Sequence, residues 1–217
     1  MTAEELWPLF GLEVATPRLS LRYVTDDLAA QLATLAARGV HDPRTMPFAE
    51  PWTDVASPEL ERNTLRYYWR RRAETTVEHW SLSFAVCTGD EVVGACLVDA
   101  TGFATTRRAE TGSWVGRRHQ GRGIGTEMRQ AALGVIFDGL GGETATTAAW
   151  HDNERSLRVT RSLGYAETGS HRQLRRGHDE VMLTFEMSRE RWYARIRPAV
   201  SFKGIERARE FLGIQVP

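Results

Sequence analysis

The residues with the clearest chemical potential lie between Glu110 and Thr126. Gln120-Gly121-Arg122-Gly123-Ile124-Gly125-Thr126 sets glycines at alternate positions, directly ahead of an apolar periodicity through Met128, Ala131, Leu133, Val135 and Phe137. In front of it, Glu110-Thr111-Gly112-Ser113-Trp114-Val115 carries the β-branched and aromatic members of a strand. Strand, glycine-rich turn and helix start together make an anion cradle. The first-turn N–H groups have no partner inside the helix, and the dipole favours negative charge there. Glycines let that backbone approach a phosphate. The chemistry expected here is the binding of a pyrophosphate group.

Two common pyrophosphate motifs are excluded. A nucleotide P-loop needs Gly-Lys-Ser/Thr, and the only lysine of the chain is Lys203, which disposes of a nucleotide kinase. The dinucleotide pattern G-x-G-x-x-G fails because Thr126 and Met128 stand where its last glycine belongs. What remains, Gln120-x-x-Gly123-x-Gly125, resembles the Q/R-x-x-G-x-G/A signature of the GNAT acetyltransferases, which bind acetyl-CoA. Downstream, Asn153-x-x-Ser156 followed by Leu163-Gly164-Tyr165 resembles the N-x-x-S…L-G-F/Y segment of the same family. The likeness runs from Pro17 to about Met187. It is closest to the Rim-type protein N-terminal acetyltransferases and their small-molecule relatives.

The resemblance implies a site. Pantetheine would lie along Ser113, Trp114 and Val115, with the Val115 amide on the thioester carbonyl. The pyrophosphate would take the segment from Gln120 through Gly121, Arg122, Gly123, Ile124, Gly125 and Thr126. Asn153 matches the cofactor-contacting asparagine. Many relatives place a proton-donating tyrosine seven residues after it, where this chain has Thr160. Bacterial members similar to this one use the serine of N-x-x-S instead, here Ser156; the alternative is that Ser156 bonds only its helix backbone. Glu110 resembles the glutamate of the family's E-x-G-x-W/Y strand and is the candidate base, with His119, His151 and Asp152 as rivals. The glutamate that some relatives carry five residues before the asparagine is Ala148 here.

Elements must hold these residues in place. Arg18–Val24 alternates as a half-buried strand, and Thr25, Asp26 and Asp27 can cap a helix through Leu28, Leu32 and Leu35 that ends near Gly39. His41–Trp52 carries three prolines and reads as a loop; its Met46, Phe48 and Trp52 either cover the core or wall the acceptor site. A second helix opens at Ser57-Pro58-Glu59, with proline at its first position, and runs to about Ala73. Its Arg70–Arg72 run reads as a solvated face, with attraction of an acidic substrate as the alternative. Strands 80–86 and 92–98 form a hairpin turning at Thr88–Glu91, which sets Cys87 near Val92 and Cys96 near Ser83, beyond disulfide reach. Further strands at 107–115 and 143–150, a helix from Ile124 to about Leu140, and a helix from Asn153 to Ser162 stopped by Gly164 follow. Strands near 165–169 and 180–187 flank a basic turn from His171 to His178. Beyond Met187, an arm has Trp192, Ile196, Ile205 and Phe211 to bury, on its own domain or in a homodimer.

Composition sets the outer bounds. The 217 residues carry 28 basic and 28 acidic side chains, so no net charge draws the chain to nucleic acid or a membrane. No apolar run nears the roughly 20 residues of a membrane span, and no signal peptide is visible, so a cytoplasmic protein is expected. Two cysteines fall short of a zinc site, and no metal is expected. The reading is an α/β (α+β) chain with one GNAT fold, a mixed, mostly antiparallel central sheet flanked by helices: residues 1–16 a lead-in, 17–187 the acetyltransferase domain, 188–217 a helical arm. Its expected activity is acetyl transfer from acetyl-CoA to a primary amine by direct attack in a ternary complex. The alternative is a catalytically silent acyl-CoA sensor.

Overall fold

The computed structural model describes residues 1–215. A short helix α1 (Ala3–Leu6), capped by Thr2, and a 3-10 turn lead into β1 (Glu13–Ala15) and β2 (Ser20–Tyr23). Helix α2 (Asp26–Ala37) is capped by the Thr25 hydroxyl, which accepts the Leu28 N–H. Helix α3 (Glu59–Ala73) begins one residue later than the proline rule suggests, with Pro58 at the cap. The hairpin β3 (His79–Thr88) and β4 (Glu91–Thr101) is followed by a turn of helix α4 (Phe103–Thr106) and by β5 (Arg108–Val115). Helix α5 (Ile124–Gly134) passes into a π-turn over Val135–Gly139, so the expected helix to Leu140 is α-helical for only two-thirds of its length. Then come β6 (Thr144–Trp150), α6 (Glu154–Ser162), β7 (Ala166–Arg175) and β8 (His178–Ser188). The chain ends in α7 (Arg189–Tyr193), β9 (Ser201–Lys203) and α8 (Ile205–Phe211).

Nine strands form one sheet in the order β7-β8-β6-β5-β4-β3-β2-β1-β9. Every pairing is antiparallel except β5 with β6. A bulge at Val86/Cys87 shifts the hairpin register, so Cys96 faces Phe84 and not the expected Ser83, while Cys87 does face Val92. Both thiols are free and buried. Gly94 follows the bulge, where any side chain would collide with the Trp114 carbonyl oxygen, so β4 and β5 come unusually close at this point.

The sheet alternates cleanly between two faces. One carries Val98, Cys96, Ala109, Val115, Ala145 and Phe185 into the main core, under α5, α6 and α8. The other carries Ala85, Cys87, Ala95 and Trp114 against α2 and α3. The two ends of the chain are part of this body. Leu9, Leu12 and Val14 from the lead-in, with Trp192, Ile205, Ala208 and Leu212 from the arm, lie in the main core, and β9 pairs with β1. The arm therefore packs on its own chain. Ile196 is the exception: it stays fully exposed on a connecting segment. Residues 216 and 217 of the arm lie outside the described residues.

The arginines expected to be solvated are mostly structural. Arg71 pairs with Asp99, and Arg72 pairs with Asp26 while lying over the Phe10 ring. The basic turn from His171 is largely strand: Arg172 pairs with Asp179, Arg175 with Asp152, and Arg176 with Asp54. Through Arg176–Asp54, and through Arg175 bonding the Met46 carbonyl, the β7–β8 hairpin holds the proline-rich loop in place.

Candidate functional site

The site begins where two strands part. β5 and β6 pair in parallel only from Arg108 and Thr144 to Glu110 and Thr146. At the apex, the Thr147 hydroxyl donates to the Thr111 carbonyl at 3.0 Å, and Thr111 donates to the Thr146 carbonyl at 3.2 Å. Beyond it, Gly112–Val115 has no partner strand on that side among the described residues. The Gly116 N–H bonds back to Val93, and Thr111 and Val115 carbonyls accept from the opposite side. By strand alternation, the N–H and C=O of Ser113 therefore face the parting too, as does the Val115 N–H. Ser113 is exposed although its strand lies in the middle of the sheet. Its exposed side lies on the main-core face, the side of α5 and α6, and the space there is the candidate slot.

The glycine-rich turn closes one end of the slot. Gly121 and Gly123 both sit at φ +78°, which a residue with a side chain rarely adopts. Gly123 caps α5 without a side-chain bond, and the Glu127 N–H is the first to be returned to the helix. The N–H groups of Ile124, Gly125 and Thr126 are thus free to bind an anion. The space a Cβ would take at Gly121 and Gly125 is open. Arg18 stands beside this cradle, its Nη2 3.2 Å from where a Gly123 Cβ would be. It is fixed there by Glu127, which also accepts from the Thr16 hydroxyl at 2.6 Å. These bonds hold the Glu127 carboxyl below its usual range despite burial. The donor set and the bare glycines fit a pyrophosphate.

Gln120 has a different place from that expected of a direct ligand side chain. Its Nε2 donates to the carbonyls of Val40 at 2.6 Å and Val115 at 2.8 Å, and its Oε1 accepts from Arg155 at 2.7 Å. It ties the end of β5 to the α2 side and to α6. Arg122 is exposed beside the turn, and its carbonyl accepts from Arg18.

At the other wall, Asn153 caps α6 by accepting the Ser156 N–H at 3.2 Å. Ser156 is half-buried, and its hydroxyl has no hydrogen-bond partner among the described residues, so it is not spent on its own helix. Thr160 is fully buried and accepts from Arg129 at 2.6 Å.

Glu110, Gly112 and Trp114 point to the opposite face of the sheet. There Glu110 lies across from Asp99, which Arg71 pairs. Glu110 is open to water in a groove yet crowded by protein; that crowding first, then the neighbouring Asp99 charge, pushes its carboxyl up, with Arg71 opposing. Over the groove stands the proline-rich loop: Trp52 lies 5.9 Å from Trp114 and 5.1 Å from Phe48, and Trp150 donates to the Phe48 carbonyl. Ala148 of β6 is exposed. The rival bases are set otherwise. His119 is buried and accepts from Arg118, and burial lowers its pKa. Asp152 is bound by Arg175, which holds its carboxyl low. His151 is exposed and bonds the Val181 carbonyl.

Sequence reasoning did not find Asp99, Arg18 or Glu127, and it read Arg71 within a solvated run where the structure pairs it with Asp99. Asp99 and Arg71 are brought together only by the packing of α3 on the sheet. Glu127 had a local signal, an acid in the first turn of a helix.

This architecture is widely shared. RimL, described as the ribosomal L7/L12 α-N-protein acetyltransferase in complex with coenzyme A, superposes with TM-score 0.66 at 16% identity, covering 80% of this chain and 95% of that one. The microcin C7 self-immunity acetyltransferase MccE, in complex with acetyl-CoA and AMP, gives 0.64 at 14%, covering 79% and 93%. A GCN5-related N-acetyltransferase from Brucella melitensis gives 0.65 at 19%, covering 84% and 80%. Residues 18–166 match the family profile described as acetyltransferase (GNAT) domain, and the chain belongs to the GNAT acetyltransferases.

Proposed function

We propose that this protein is an N-acetyltransferase of the Rim-type branch, moving the acetyl group of acetyl-CoA to a primary amine, a peptide N-terminus or a small molecule, by direct attack in a ternary complex. The observation that carries this reading is the parting of β5 and β6 after Glu110, with Ser113 exposed beyond it; on this reading that parting is the passage from the glycine-rich turn on one face to Glu110 on the other. Bound acetyl-CoA supplies an activated thioester. The amides at Ile124, Gly125 and Thr126, with Arg122 beside them, bind its pyrophosphate. Ser113, Trp114 and Val115 offer an unpaired strand edge to the pantetheine, and the Val115 N–H favours the developing oxyanion. Asn153 aligns the start of α6 beside it.

Glu110 receives the amine's proton, directly or through water. A carboxyl raised above its usual range is better matched to that task than an ordinary one. Asp99 beside it favours a cationic acceptor. A peptide α-amine near ~8 loses its proton about two orders more easily than a lysine near ~10.4, so a modest base suffices for a protein N-terminus. Ser156, with its hydroxyl unspent, protonates the departing thiolate. Phe48, Trp52 and Trp114 give the acceptor an apolar wall. Ala148 is exposed with no bulky side chain of its own, which leaves room for an extended peptide. The test is coenzyme A release across a panel of peptides and amines. Turnover on an N-terminal peptide or small amine is expected; cofactor binding without turnover on any acceptor would make the protein a silent acyl-CoA sensor.

A further inference from the structure

Among the described residues, Arg129 is a buried cation without an anion. It projects from α5 with only 6% of its surface exposed, and no carboxylate among the described residues pairs with it. Its Nη1 donates to Thr160 at 2.6 Å, its guanidinium lies 5.2 Å from the Tyr165 ring centre, and its Nη2 is buried with no hydrogen-bond partner. A desolvated, half-satisfied guanidinium is destabilising in a fold. Its own helix does not relieve it, because Glu127 is taken by Thr16 and Arg18. The titratable groups facing it are Cys96 from β4 and Tyr165 ahead of β7. Burial pushes the Cys96 thiol up to about 12, with Arg129 pulling the other way, so the thiol stays neutral and gives no compensation.

The surroundings show what the charge serves. Tyr165 bonds Thr111, at the apex where β5 and β6 part. Cys96 is the cross-strand partner of Ser113, the exposed residue at the slot floor, and shares its face of the sheet. Through Tyr165 and Cys96, Arg129 lies on the α5–α6 side of the sheet, next to the residues that flank the proposed passage. A thioester delivered from the glycine-rich turn must occupy that passage for an amine at Glu110 to reach it. As the new C–N bond forms and the C–S bond breaks, the electron pair goes to sulfur, and negative charge grows there.

We propose that Arg129, held by Thr160, is a positioning residue that stabilises the coenzyme A thiolate electrostatically from beneath the slot, without touching it. This inference rests on the reading of the slot as the acetyl-CoA site. It gives the reaction a fixed positive potential at the leaving group, beside whatever proton Ser156 supplies. A preorganised charge in a low-dielectric wall needs no rearrangement as the transition state forms.

The test titrates the thiol of bound coenzyme A by its ultraviolet thiolate absorbance, in wild type, in Arg129→Lys and in the double variant Arg129→Met/Thr160→Val. The double variant removes the buried polar pair together, which a core tolerates better than orphaning one partner. In wild type, the bound thiol is expected to titrate about 1–3 pH units below free coenzyme A. Arg129→Lys should keep most of that shift, and the double variant should lose it while its ligand-free form melts no lower than wild type. Equal titration in wild type and double variant, with coenzyme A bound to both, overturns the role of Arg129 alone. Failure of wild type to bind coenzyme A overturns the slot reading, and this inference with it.

Discussion

On the α5–α6 face, the groups proposed to meet acetyl-CoA are mostly backbone: the amides after Gly123 and the free edge at Ser113 and Val115. On the α2–α3 face they are side chains from scattered places, with Glu110 from β5, Asp99 from β4, Arg71 from α3, and Phe48 and Trp52 from a loop. The first face depends on where side chains are missing, the second on which are present. A backbone site can be built from a few consecutive residues. A side-chain site needs the whole fold to assemble it, and it can change its preference without disturbing the first.

Four substitutions sharpen or break this division. Gly123→Val should have the largest effect, abolishing measurable coenzyme A binding by calorimetry. A β-branched side chain at φ +78° is strained, and its bulk would enter the cradle beside Arg18. The ligand-free protein should stay folded, losing about 1–2 kcal/mol to the left-handed conformation. Unchanged affinity would remove the pyrophosphate from this turn.

Glu110→Gln should lower kcat by about 10²–10⁴ with coenzyme A affinity retained. It should also raise Tm at pH 7. Ionised Glu110 is disfavoured in the fold by burial and by Asp99, so its pKa is higher folded than unfolded. The stability held by its proton is complete below the ordinary carboxyl range and is lost as pH rises through the folded pKa. Glutamine escapes that loss, so the gain in Tm should disappear below about pH 4.3. A kcat loss under about tenfold would leave the amine's own deprotonation as the better account.

Ser156→Ala tests the wall between the faces. Its hydroxyl has no partner among the described residues, so ligand-free Tm should not move. A thiolate leaves readily, and the fall in kcat should sit near the low end, about 10². A lower Tm with intact kcat would return Ser156 to a structural role. Arg176→Ala should do least: by releasing Asp54 it loosens the proline-rich loop, raising the acceptor KM about two- to fivefold and leaving coenzyme A affinity alone. A matching loss of coenzyme A affinity would mean that the two faces are not separable.

Legibility in the sequence follows the same line. The glycine-rich turn could be read because each of its requirements is local: a strand end at Val115, Gly121 and Gly123 at positive φ, and a helix start at Ile124, all within ten positions. The Thr25 cap and the Gly164 stop were legible for the same reason. The hairpin register was not, because the bulge at Val86/Cys87 answers to the close approach of β5 at Gly94. Arg175 and Arg176 looked like solvated turn residues because their partners, Asp152 and Asp54, lie 23 and 122 positions away.

By itself, then, the sequence determined the order of the main strands and helices from β2 to β8, the anion cradle and the family to which its motifs point, since these depend on neighbours a few residues apart; the short β1, α4 and β9 were not legible in it. Only the tertiary structure decided that β5 and β6 separate after Glu110, that Gln120 ties the end of β5 to Val40, and that Arg129 lies buried with no carboxylate partner among the described residues. Those outcomes depend on contacts between elements far apart in the chain. Their free energy comes from burial and polar pairing that exist only once the sheet and its covering helices have closed.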